Sequence, residues 1–246
     1  MSISYAGAAR ILAGRDPVIE RLFEAVGPPR LHPPLGSHFG ALVRDVVYQQ
    51  LAGPAAAAIH ARLLECLGGE AEPQRLIELS DVQLRSVGLS ATKSASLRDL
   101  ASKVLDGTVT LERGGLDRED DKELVARLSA VRGIGKWTAE MFLMFQLRRI
   151  DVWPTGDLGV RRGYGFAWGV PMPSARELEP LGDAFRPYRS VVAWYCWRAV
   201  ELYASGTGGS RDGAGAGSPR RRATTARVVT WRTGGAAVLT AAVRPP

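Results

Sequence analysis

The chemistry legible in this chain centres on one aspartate. Asp157 follows a tight Pro154-Thr-Gly corner and opens a helical pattern continued by Leu158, Val160 and Tyr164. A helix N-terminus keeps a carboxylate ionised, because the dipole and the N–H groups there favour negative charge. An ionised, oriented carboxylate can stabilise an oxocarbenium-like sugar and help activate water, as breaking an N-glycosidic bond requires. A plain N-cap is the other reading of the same residue, and the two roles are compatible. The remaining cluster of acids, Asp117, Glu119, Asp120 and Asp121, reads as a solvated loop.

About twenty residues upstream, Gly133-Ile134-Gly135 interrupts two helical patterns, Asp121 to Val131 and Lys136 to Leu147. Glycines lack the Cβ that blocks close approach, and they tolerate positive φ. The second helix starts at that turn, so its first N–H groups and its dipole form a ready site for a phosphate. Arg132 and Lys136 flank the turn, and Ile134 is expected to point inward. Taken alone, the tripeptide suits a simple bend between two packed helices equally well.

Composition bounds the rest. At 246 residues, 46% hydrophobic and 23% charged, the chain is an ordinary globular sequence of one large or two small domains. The net charge of +7 is misleading, because seven arginines and a single acid, Asp212, lie beyond Ser205. That leaves 25 basic against 24 acidic residues elsewhere, so the pI is no argument for nucleic-acid binding by the folded part. The two cysteines, Cys66 and Cys196, both sit in apolar helical patterns and are expected to be buried thiols. They offer no zinc spacing and exclude a cysteine-ligated iron–sulfur centre. No secretion signal and no apolar run near the roughly 18 residues of a membrane span is visible. The expectation is a soluble cytoplasmic protein.

The elements that must position Asp157 and the hairpin are helical. Residues 1–36 read as a partly helical N-terminal extension, with Asp16 capping a helix that has Pro17 at its first position. Residues 37–204 read as one domain. Leu42, Val43, Val46, Val47 and Leu51 recur at helical spacing, and Pro54 opens an Ala-rich helix. Ser174 and Glu177 form a capping box, and Pro187 is expected to start the last helix. No useful period-2 alternation precedes Tyr203, so about nine helices and an all-α helical bundle are predicted. Residues 205–246, rich in Gly, Ala and Arg, are expected to be a disordered tail.

Several motifs occur in combination: Val47-Tyr-Gln-Gln-Leu51, Gly88-Leu-Ser-x-x-Lys93, Leu128-x-x-Val-x-Gly-Ile-Gly-Lys-Trp-Thr-Ala-Glu140, Asp151-Val-Trp-Pro-x-Gly-Asp157-Leu158, and Arg186-Pro-Tyr-Arg-Ser190 followed by Trp194-Tyr195 and Trp197. Together they resemble the helix-hairpin-helix DNA glycosylases, specifically the 3-methyladenine DNA glycosylase II branch, from about Phe39 to Leu202. The resemblance implies two helical lobes with an active-site cleft between them. It places Asp157 on the catalytic aspartate and Leu51 on the wedge that fills the gap left by an extruded base. Trp137, Trp197, Met141 and Tyr48 fall on the base pocket. Gly133, Gly135, Arg132, Lys136 and Thr138 fall on the DNA-backbone contact. The carbonyls of Ser129, Val131 and Ile134 fall where the hairpin holds a monovalent cation, Na+ or K+.

In the bifunctional members of this superfamily the position of Trp137 is the lysine that attacks the sugar. Lys136 is one residue earlier, about 100° around the helix. The resemblance therefore implies a monofunctional enzyme that needs no cofactor for hydrolysis. It would flip an alkylated purine of the 3-methyladenine or 7-methylguanine type and leave an abasic site. Such bases are cationic, so indole faces favour them. Met141 and Tyr48 depart from the commoner aromatic and small residue, which bears on substrate range. The implied partner is double-stranded DNA containing damaged bases, bound by a monomer at the nucleoid. A non-catalytic damage-sensing hairpin protein and a glycosylase for deaminated bases are the alternatives.

Overall fold

The structure, a computed structural model, describes residues 3–116, 119–204, 228–233 and 236–241. In chain order its helices are α1 (Tyr5–Ala13), α2 (Pro17–Val26), α3 (His38–Tyr48), α4 (Gly53–Cys66), α5 (Pro73–Glu78), α6 (Asp81–Ser86), α7 (Ala91–Leu105), α8 (Arg113–Leu116), α9 (Asp121–Ser129), α10 (Lys136–Phe145), α11 (Leu158–Trp168), α12 (Ala175–Leu181) and α13 (Arg189–Ala204). A 3-10 turn at Asp183–Phe185 precedes the last of them. Up to Ala204 every regular element among the described residues is helical. Beyond it, β1 (Val228–Thr233) pairs with β2 (Ala236–Ala241) in a two-stranded sheet. Val228-Val-Thr-Trp-Arg-Thr is rich in β-branched and aromatic residues, which favour such a ladder over the disorder expected for this tail. The rest of 205–246 lies outside the described residues.

Local chemistry sets most helix starts. Asp16 Oδ1 accepts from the N–H groups of Val18 (2.8 Å) and Ile19 (3.0 Å). Ser174 and Glu177 close their capping box in both directions, at 2.7 and 3.2 Å. Ser80 and Gln83 make a second box that opens α6. Three short helices depart from the sequence reading. Two of them, α5 and α8, are six and four residues long, too short to show periodicity. The third, α1, hides in a Gly/Ala-rich stretch and is capped by Ser4. The last helix begins at Arg189 rather than Pro187, which lies in the preceding turn.

The chain divides into two compact units. Among the described residues, α1, α2 and α11 to α13 form the first, and α3 to α10 form the second. The expected boundary near residue 36 is therefore revised. The N-terminal segment is no peripheral extension, since Ala8, Ala9, Leu12, Ile19 and Leu22 are core residues and Tyr195 donates to Gly27 O at 3.1 Å. The chain leaves the first unit after Arg30 and returns at Thr155. An apolar face built from distant segments is invisible to a window that reads neighbours only.

In the first unit, α11 packs closely on α13. A Cβ on Gly163 would stand 1.8 Å from Cys196 O, so only glycine permits that approach. Tyr164 stacks on Trp168 at 4.2 Å, and Trp168 meets Phe185 at 5.6 Å, so Trp168 has a packing role. In the second unit the core comes from Leu42, Val43, Val46 and Val47 of α3, Leu97 and Leu100 of α7, Leu124 and Leu128 of α9, and Phe142 and Leu143 of α10. Full burial of each such side chain is worth about 1.5–3 kcal/mol. Cys196 is buried as expected, but Cys66 is exposed, because α4 turns Ala56 and Leu63 inward instead. No helix among the described residues is long and apolar enough to cross a membrane.

Candidate active site

Asp157 is the N-cap of α11, with φ −74° and ψ 121°, and is only 3% exposed. Its Oδ1 accepts the backbone N–H of Val160 at 2.7 Å and the indole N–H of Trp197 at 3.0 Å. Two donors on one oxygen fix the plane of the carboxylate. The first residue of the corner, Pro154, is buried, and Thr155 donates to Glu179 Oε2 at 3.2 Å. The Pro-Thr-Gly corner is therefore held from both sides.

Trp197, expected as a pocket-lining aromatic, is 2% exposed and turns its N–H edge to Asp157. The indole N–H donates to the carboxylate. Gly159 makes room for this: a Cβ there would lie 2.8 Å from Trp197 Cδ1 and 3.0 Å from Asp157 Oδ1. Next door, burial pushes the Cys196 thiol well above the usual thiol range, with the Asp157 charge adding to the effect. That thiol is inert as a nucleophile at neutral pH.

The hairpin lies in the second unit, between α9 and α10. Its two glycines have different reasons to be glycine. Gly133 takes φ 78°, and a Cβ on it would meet Ser96 Oγ at 2.4 Å. Gly135 takes an ordinary extended φ of −89°, and a Cβ on it would meet nothing within 4 Å. Packing within the protein explains the first glycine and leaves the second unexplained. Gly135 is also the N-cap of α10 and has no side chain to cap with. The first bond of the α10 ladder is Ala139 N to Gly135 O at 3.0 Å, so the N–H groups of Lys136, Trp137 and Thr138 precede it. This is the geometry of an anion site.

Around the turn, Ile134 is buried as expected, and Arg132 is exposed while its backbone N–H donates to Asp99 Oδ2 at 2.7 Å. Lys136 is largely exposed and reaches the buried Glu140 at 3.6 Å. The Thr138 side chain is buried, so its outward contribution is backbone only. Val131 O accepts from Ile134 N at 3.0 Å.

Trp137 and Met141, one turn apart on α10, are half-buried and buried. Tyr48, also half-buried, ends α3, with Arg44 over its ring at 4.3 Å and His60 edge-on at 6.2 Å. Leu51 follows in the loop after α3, half-buried, its N–H on Tyr48 O at 3.3 Å. Asp157 and Trp197 belong to the first unit, whereas Trp137, Met141, Tyr48 and Leu51 belong to the second.

Sequence reasoning left Lys93 and Gln49 without roles, although both stand in the quoted motifs. Lys93 Nζ donates to Val47 O at 2.6 Å and Gln49 O at 2.8 Å. Gln49 Nε2 donates to Gly133 O at 2.9 Å. The only signal available was their place within those motifs.

Residues 43–183 match the model of the HhH-GPD superfamily of base excision DNA repair proteins. The chain belongs to this superfamily. Among HhH-GPD relatives, DNA-3-methyladenine glycosylase 1 of Schizosaccharomyces pombe is 32% identical over 78% of this chain and 86% of its own length. Two solved structures share the fold at 32% identity. A DNA-3-methyladenine glycosidase from Bacillus halodurans aligns with TM-score 0.73 over 80% of this chain and 91% of that one. A 3-methyladenine DNA glycosylase of S. pombe, in complex with abasic DNA, aligns with TM-score 0.69 over 79% and 97%. The hairpin and Asp157 both fall within the superfamily match.

Proposed function

We propose that this HhH-GPD protein is a monofunctional DNA N-glycosylase that excises alkylated purines and leaves an abasic site. The observation that carries the reading is the buried Asp157 carboxylate, held at a helix N-terminus by the Val160 and Trp197 N–H groups. Such a group needs no reorganisation when positive charge develops on the sugar. As the glycosidic bond lengthens, electrons pass to the base and the sugar becomes oxocarbenium-like. Asp157 stabilises that cation and accepts a proton from the water that attacks C1′. A base alkylated at N3 or N7 is already a good leaving group, so one carboxylate suffices. Related glycosylases of the 3-methyladenine type, one of them solved with abasic DNA, support this substrate class.

The hairpin serves as the backbone grip. Gly135 leaves room for a phosphate, and the start of α10 offers N–H groups and the positive end of its dipole. A Na+ or K+ held by the carbonyls of Ser129, Val131 and Ile134 would add positive charge there. These all-oxygen donors suit such a hard ion, and Ser129 Oγ is itself buried without a hydrogen-bond partner. Leu51 fills the stack, and Trp137, Met141 and Tyr48 line the pocket for the base. With tryptophan at 137, water attacks rather than an amine.

The test uses methylated duplex DNA. Purified protein should release 3-methyladenine and 7-methylguanine, and Asp157→Asn should abolish release while duplex binding persists. Excision by that variant at the wild-type rate would remove Asp157 from the mechanism. A covalent adduct trapped by borohydride would overturn the monofunctional reading.

A further inference from the structure

One side of α7 carries three side chains unassigned in the mechanism above. Lys93, Ser96 and Asp99 recur every third residue and so neighbour one another along the helix. Each engages a different piece of the DNA-binding apparatus. Lys93 Nζ bridges Val47 O and Gln49 O, at the end of α3 and the start of the loop that leads to Leu51. Ser96 packs beneath Gly133, where no Cβ fits. Asp99 accepts the Arg132 N–H at 2.7 Å and the Lys103 ammonium at 2.6 Å. Gln49 closes the ring by donating to Gly133 O. The loop and the hairpin are 84 residues apart in sequence, yet they share one hydrogen-bonded frame.

We propose that Lys93 is a positioning residue that sets the spacing between the Leu51 loop and the Gly133–Gly135 hairpin, so that phosphate grip and base extrusion occur in register. The proposal rests on the reading of Leu51 and the hairpin given above. The chemistry of the site argues for a lysine. Helix C-termini leave carbonyls without intrahelical partners and carry negative dipole charge, which a compact ammonium answers with three donors. The loop also needs fixing, because Gln50 takes φ 56°, a left-handed conformation that non-glycine residues disfavour. Lys93 and Gln49 anchor the chain immediately before it. Burial lowers the Lys93 pKa, and the two carbonyl acceptors work against that by favouring the ammonium.

A duplex with one 7-methylguanine and 2-aminopurine as its neighbour separates grip from extrusion. Wild type, Lys93→Met and Lys93→Arg are compared for single-turnover excision, the fluorescence rise on unstacking, affinity for undamaged duplex, and Tm. A misplaced positioning group costs up to about 100-fold in rate. Lys93→Met should therefore lose about that much in excision, with a matching loss in the fluorescence rise. Undamaged-duplex affinity should be nearly unchanged, and Lys93→Arg should restore most of the rate. Two results overturn the proposal: Lys93→Met excising and unstacking like wild type, or rate, affinity and Tm falling together without rescue by arginine. Wild type that unstacks the site but releases no base overturns the functional reading alone, and the fluorescence then still decides the role of Lys93.

Discussion

The indole N–H of Trp197 points at Asp157 Oδ1, 3.0 Å away, on the same oxygen that caps α11 through Val160. The carboxylate is thus oriented by one local bond and one bond that spans 40 residues. Trp197→Phe keeps an aromatic side chain, smaller than the indole, and removes the long-range donor. A hydrogen bond to a charged group is worth about 1.5–3 kcal/mol, or roughly 10- to 100-fold in rate. Single-turnover excision should fall by that factor while affinity for duplex DNA holds. A rate within twofold of wild type would show that the Trp197 donor is not what orients Asp157.

Gly159→Ala attacks the same geometry from the backbone side. The new Cβ would press on Trp197 Cδ1 and Asp157 Oδ1 together. Alanine also raises helix propensity by up to about 1 kcal/mol, which offsets part of the packing cost. Activity should drop about tenfold or more with little change in Tm. Thermal melts alongside excision rates check this, and parallel losses would contradict it.

The hairpin glycines should separate on substitution. Gly133→Ala forces a Cβ into Ser96 Oγ at positive φ and should cost at least about 2 kcal/mol of stability. Gly135→Ala meets open space at an ordinary φ and should lower the urea midpoint far less, only by the modest cost of alanine at an N-cap. It should instead weaken binding to abasic duplex, if the hairpin grips a phosphate as proposed, because the new methyl group would stand in that space. Equal stability losses at both positions would defeat the distinction.

Asp45, beside Tyr48 on α3, should leave a pH signature. Burial pushes its carboxyl up from 3.8 to about 7, against the pull of Arg44 at 3.9 Å. Between those two values the folded state binds more protons than the unfolded chain, so stability falls as pH rises through the interval. Asp45→Asn removes that loss. The variant should match wild type near pH 4 and exceed it at pH 8, by on the order of 2 kcal/mol once partial exposure is allowed for. Denaturant melts at the two pH values measure the difference. A gap that is constant with pH would mean Asp45 does not titrate in this range.

Much of the site is readable in sequence because its determinants are local. A cap and the N–H it satisfies lie two or three residues apart, so Asp16, Ser174 and Asp157 announce their helices directly. Gly133-Ile134-Gly135 marks its turn in the same way, and periodic apolar residues place the inward faces of α3, α9 and α10. The motif set around them carries the likeness to the superfamily in sequence alone.

Only folding in three dimensions decided what those residues touch. Residues 3–30 join a unit with α11 to α13, because apolar faces from distant segments complete one core. The N–H edge of Trp197 and the close approach of Gly163 to Cys196 follow from how α11 lies on α13. The bonds from Lys93 to Val47 and Gln49 span 46 and 44 residues. Such pairings depend on packing between helices, and packing is set by the summed shape of many side chains rather than by any neighbour in sequence.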